Sequence, residues 1–68
     1  MILYVGDGCP KCKIAEKEAN ENVSIQLAEN NIEKFKTHHI STVPVLELDD
    51  GTWITNFAGI MKYLKGEN

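Results

Sequence analysis

The chain contains no arginine. All seven basic residues are lysines, set against ten acidic ones, for a net charge of −3. Recognition of phosphates and base edges draws on positive charge and on the arginine fork, so no nucleic-acid partner is expected. No stretch approaches the roughly 18 apolar residues of a membrane span, and no membrane association is expected either. Met1–Val5 is apolar, but no basic segment precedes it and it runs straight into Gly6 and Asp7, unlike a secretory leader. The expected location is the cytoplasm. Cysteine occurs only twice, too few for a secreted disulfide scaffold. In a cytosolic setting a close cysteine pair signals redox or metal chemistry.

What is present is ordinary for a folded chain: 68 residues, 43% hydrophobic and 25% charged. A domain of this size buries only about 60% of the surface its unfolded chain exposes, and with no linker or repeat the expectation is one domain over 1–68. Met1–Val5 is a continuous β-prone run closed by Gly6-Asp7-Gly8, as in a strand buried on both faces. Pro10 suits the first position of a helix running to about Ala19, with Ile14, Ala15 and Ala19 as its inner face. Val23–Leu27 alternates, placing Val23, Ile25 and Leu27 on one face of a second strand. Asn30 or Asn31 caps a short helix to about His38, with Ile32 and Phe35 inward. Asp49-Asp50-Gly51 separates two further strands, 45–48 and 52–55, as a hairpin turn. Phe57, Ile60, Met61 and Leu64 then form one helical stripe, with Asn56 as cap and Gly66 as stop. The predicted order is β-α-β-α-β-β-α. It is an α/β fold, with a four-stranded mixed sheet in which a parallel pair is followed by an antiparallel hairpin.

The chemistry-bearing residues are Cys9-Pro10-Lys11-Cys12, placed where the first strand hands over to the first helix. Unpaired N–H groups of a first helical turn point toward the Cys9 sulfur, and the positive end of the helix dipole favours negative charge there. A moderately activated thiol is expected. The i, i+3 spacing puts Cys12 one turn along, within reach of a disulfide.

With this order, C-P-K-C after strand one and Thr42-Val43-Pro44 before strand three, the chain resembles the glutaredoxin branch of the thioredoxin superfamily over nearly its whole length. The resemblance implies a thioredoxin-like fold of the minimal glutaredoxin type and a thiol–disulfide oxidoreductase, with Cys9 as nucleophile and Cys12 as resolving thiol. It also implies a cis bond before Pro44, with the backbone of Val43 available to an extended substrate. The substrate groove it implies is shaped by Pro10, Lys11, Thr42, Val43, Pro44, Asn56 and Phe57. No bound cofactor is expected. The implied partners are a disulfide-containing protein and an electron source, glutathione or a flavoprotein reductase, as in glutaredoxin-like donors to ribonucleotide reductase. A monomer is expected. The family's Gly-Gly pair before the last helix has no counterpart in Thr55-Asn56-Phe57-Ala58-Gly59, its aromatic residue inside the cysteine motif is Lys11, and its basic residue shortly before the motif is Asp7.

A rival reading is a non-catalytic module that binds zinc or a partner through Cys9 and Cys12, with His38 and His39 completing a tetrahedral set. The blander expectation for both histidines is the exposed end of the second helix. Trp53 is expected to pack rather than recognise, and Tyr4 to face the core with its hydroxyl near an edge. Lys11 is expected to extend into solvent. Glu47, Asp49 and Asp50 are expected to be solvated hairpin surface.

Overall fold

The computed structural model describes residues 1–66. Strand β1 (Ile2–Val5) leads into helix α1 (Pro10–Glu18), strand β2 (Ser24–Leu27), a 3-10 turn (Ala28–Asn31) and helix α2 (Ile32–Thr37). Strands β3 (Val45–Glu47) and β4 (Trp53–Ile54) and helix α3 (Phe57–Leu64) complete the order. The four strands form one mixed sheet ordered β2-β1-β3-β4, with β1 and β2 parallel and the β1–β3 and β3–β4 pairs antiparallel. No helix of the described residues is long and apolar enough to cross a membrane.

Because side chains alternate along a strand, β1 divides its residues between two cores. Leu3 and Val5 face α1 and α3, in a cluster with Cys12, Ala15, Leu46, Ile60 and Leu64. Tyr4 points the opposite way and joins Val45 and Phe35 of α2. Leu3, Tyr4, Val45, Leu46 and Ile60 are all fully inaccessible to solvent, so the continuous apolar run of β1 is explained by burial on both faces.

Local signals act where expected. Pro10 opens α1, and the Asn56 side chain caps α3 by accepting the Gly59 N–H at 2.9 Å. At the hairpin, Gly51 has φ +90°, a conformation that glycine adopts without penalty. The Thr52 N–H donates to the Asp50 carboxylate at 2.9 Å.

Two residues expected on inner faces, Ile14 and Ile32, are not buried. Ile14, Ile25, Leu27 and Ile32 are all well exposed. Strand β2 is an edge strand, and the helices cover the centre of the sheet. Ile25 and Leu27 therefore share a face with Leu3 and Val5 without sharing their cover. Only Val23, just before β2, is buried. On α1 the inner face is Cys12 and Ala15, not Ile14. Asn31 stands at the cap position of α2 but makes no cap bond; its amide nitrogen instead donates back to the Leu27 carbonyl at 2.9 Å.

Candidate functional site

After β1 the chain turns through Gly6, Asp7 and Gly8, with Gly8 at φ +66°. That turn delivers Cys9 to the N-cap of α1. Its backbone is extended (φ −99°, ψ 109°), and its sulfur accepts the Cys12 N–H at 3.2 Å. A side-chain oxygen of Ser or Asp usually satisfies such a donor. Here a sulfur does so. Pro10 follows at the first helical position, where its missing N–H leaves nothing unsatisfied. Cys9 is half-buried, and its thiol lies 4.0 Å from the Val43 carbonyl oxygen, which it faces as donor.

Cys12 sits one turn further and is 1% exposed. Its sulfur accepts the Gly6 N–H at 3.4 Å. Burial first, and the neighbouring Cys9 sulfur second, push the Cys12 thiol up from 9.0 to about 11, with the Gly6 N–H acting the other way. Both thiols are free. One is presented at the open end of the helix. The other is held protonated behind it.

Gly6 is a site residue that the sequence reading passed over as a strand terminator. Besides its N–H bond to Cys12, a Cβ at this position would lie 3.1 Å from Cγ2 of Val43. The missing side chain is what lets the 41–44 segment approach the cysteine turn. No local signal separates such a glycine from one that merely ends a strand.

Val43 joins both sheet-face clusters as a partly buried neighbour, Pro44 is buried, and the bond between them is cis. Thr42 and Val43 also line an open groove of about 280 Å³ with Ile32, Phe35 and Ile40, on the α2 side of the segment. Lys11 does not simply extend into solvent. Its ammonium lies over the Phe57 ring, 5.7 Å from the centroid, a cation–π contact that ties the start of α1 to the start of α3. Phe57 is partly buried against the same cluster as Cys9. Asn56 is exposed, with its carboxamide oxygen engaged in capping α3.

The two histidines are not gathered to the cysteines. His38 stacks on Trp53 with ring centroids 4.4 Å apart, and Trp53 belongs to the α2 face. Among the described residues no group of three or more His, Cys, Asp or Glu side chains converges in a way that could hold a metal ion. Tyr4 is fully buried, as expected. Its hydroxyl donates to Glu47 at 2.7 Å and accepts from Lys34 at 3.2 Å. Glu47 is thus no free surface acid. Trp53 stacks on Tyr4 at 5.1 Å and meets Phe35 edge-on at 5.5 Å, which accounts for it as a packing residue.

No protein-family model, curated protein or solved structure matches the chain.

Proposed function

We propose that the chain is a cytoplasmic thiol–disulfide oxidoreductase of the glutaredoxin type on a thioredoxin-like fold. The observation that carries this reading is the division of labour between the thiols. The Cys9 sulfur stands at the N-cap of α1 and accepts a backbone N–H, while Cys12 is buried one turn behind it. The sheet order and the parallel strand–helix–strand opening agree with the fold.

In the first step the Cys9 thiolate attacks one sulfur of a target disulfide. A Cys9–target bond forms, the target S–S bond breaks, and the distal sulfur leaves as a thiolate. The Cys12 N–H that caps the helix is the donor an anionic Cys9 sulfur would take. In the second step Cys12 gives up its proton and attacks the Cys9 sulfur. The target leaves reduced, and Cys9 and Cys12 are joined in a disulfide, having supplied two electrons between them. Attack needs the thiolate, so a Cys12 thiol held near 11 idles until the mixed disulfide is in place. Two glutathione thiols, oxidised to glutathione disulfide, or a flavoprotein reductase then restore the dithiol.

Cys9→Ser should abolish disulfide reduction, and Cys12→Ser should accumulate mixed disulfides visible by intact-mass analysis. Full activity in Cys9→Ser would rule the mechanism out. The electron source is decided by the reduction potential of the pair in graded thiol–disulfide buffers. A value near −200 to −230 mV favours glutathione and one near −270 mV a dedicated reductase.

A further inference from the structure

In the second step of the dithiol reaction the Cys12 sulfur must become an anion inside the fold. The buried residues that β1, β3 and α3 give to the cluster around it are Leu3, Val5, Leu46, Ile60 and Leu64, all apolar. Among the described residues no polar or charged side chain is buried. On its own helix the charges Cys12 meets are those of Cys9 and Glu16, and both oppose a thiolate. One neighbouring group favours it: the Gly6 N–H, which donates to the Cys12 sulfur at 3.4 Å. Gly6 stands just past the last pairing of β1, Val5 with Leu27, so its N–H turns to a sulfur where the strand residues turn to the ladder.

We propose that the Gly6 N–H is the catalytic donor for the buried thiol, holding the Cys12 sulfur as it turns anionic in resolution and again as it leaves during re-reduction. The proposal rests on the dithiol reading above. A neutral thiol is a weak acceptor, so in the resting protein the N–H gains little from this contact. Hydrogen bonds to an ionised partner are about twice as strong as neutral ones, so the same contact strengthens as charge develops. A donor that serves the charged state more than the ground state lowers the barrier between them. In resolution the Cys12 proton passes to water or buffer, a Cys12–Cys9 bond forms, and the Cys9–target bond breaks with the target leaving as a thiolate. In re-reduction a thiolate of glutathione or of the reductase attacks the Cys9 sulfur. The Cys9–Cys12 bond breaks, and its electron pair stays on Cys12, facing the Gly6 N–H.

The test removes that one hydrogen. The Gly8–Cys9 junction lets the full chain be ligated from two synthetic pieces, the first with an ester in place of the Val5–Gly6 amide. The reagent 5,5′-dithiobis(2-nitrobenzoate) then reports both steps. One thionitrobenzoate leaves as Cys9 attacks, in a phase that depends on reagent concentration, and a second leaves as Cys12 resolves, in a phase that does not. In the ester protein the ratio of resolution rate to attack rate should fall about ten-fold relative to the all-amide chain, the scale of one charge-assisted bond. An unchanged ratio would overturn the proposal and leave the dithiol reading standing. Circular dichroism checks that the ester protein is folded, and if it is not, the unaltered backbone decides. In Cys9→Ser the amide shift of Gly6, followed by NMR, should move in step with the Cys12 Cβ shift as the thiol titrates, and Cys12→Ala should abolish the movement. A Gly6 shift that stays flat through the Cys12 titration would overturn the proposal. Failure of Cys9 to react with the reagent would remove the dithiol reading, and this proposal with it.

Discussion

The two faces of the sheet are built on different principles. On one, α1 and α3 cover an aliphatic layer of Leu3, Val5, Leu46, Ile60 and Leu64, and the buried polarity is the Cys12 thiol alone. On the other, the six-residue α2 covers an aromatic layer of Tyr4, Phe35 and Trp53, in which the Tyr4 hydroxyl reaches Glu47 and Lys34. Each face buries one ionisable group in its neutral form, but by different means. Cys12 is kept neutral by desolvation beside a second sulfur. Tyr4 is kept neutral by desolvation and by donating to a carboxylate, partly offset by Lys34. The thiol face is specified by shape. The aromatic face is specified by directed bonds and leaves a groove beside it.

The contrast can be broken most severely at Ile60. Ile60→Ala removes a fully buried side chain and should cost about 2–5 kcal/mol. A domain this small rarely has more than about 3–5 kcal/mol from its core, so loss of the cooperative urea transition at room temperature is the expected outcome. Alkaline titration separates the faces next. The raised Cys12 pKa means that the folded state holds its proton more tightly than the unfolded chain does. Its contribution is therefore intact below pH 9 and is lost as pH rises from 9.0 toward about 11, a fall of about 2–3 kcal/mol. Cys12→Ala should flatten that limb of the stability–pH curve. Tyr4→Phe should leave that limb in place and change the pH dependence only above pH 10, where the phenol begins to titrate in the unfolded chain.

At neutral pH, Tyr4→Phe should cost about 1–2 kcal/mol, because the Glu47 carboxylate loses a 2.7 Å donor in a part-buried setting. Gly6→Ala should cost about 1–3 kcal/mol through overpacking against Val43, with a matching drop in melting temperature. The smallest effect is a gain. His39 has φ 56°, a conformation that costs a non-glycine residue roughly 1–2 kcal/mol. His39→Gly should therefore raise the melting temperature, by up to about 1 kcal/mol of stability, leaving the thiol face untouched.

These regions also differ in how legible they were before the fold was known. The helix start at Pro10, the Asn56 cap, the Asp50-Gly51 turn and the stripe from Phe57 to Leu64 follow from bonds made within a few residues, and the sequence carries them in full. The exposure of Ile25 and Leu27 depends on β2 lying at an edge and on how little of it the helices cover, which no window of a few residues contains. Asn31 shows the same limit at short range: its residue type fits a cap, but its side chain bonds back to the Leu27 carbonyl and no cap bond forms. At the site, C-P-K-C was readable as a unit. The contacts that complete it were not, because Gly6 with Val43 and Lys11 with Phe57 are separated by 37 and 46 positions of chain.

The lone tryptophan gives the asymmetry an optical consequence. Trp53 stacks against Tyr4 and His38 and meets Phe35 edge-on, so its emission samples the aromatic face and, through Phe35, the groove wall. The thiol face, with no indole of its own, is dark by comparison. Fluorescence and thiol labelling therefore watch opposite sides of one sheet, and a lag between the two signals during unfolding would reveal which layer lets go first.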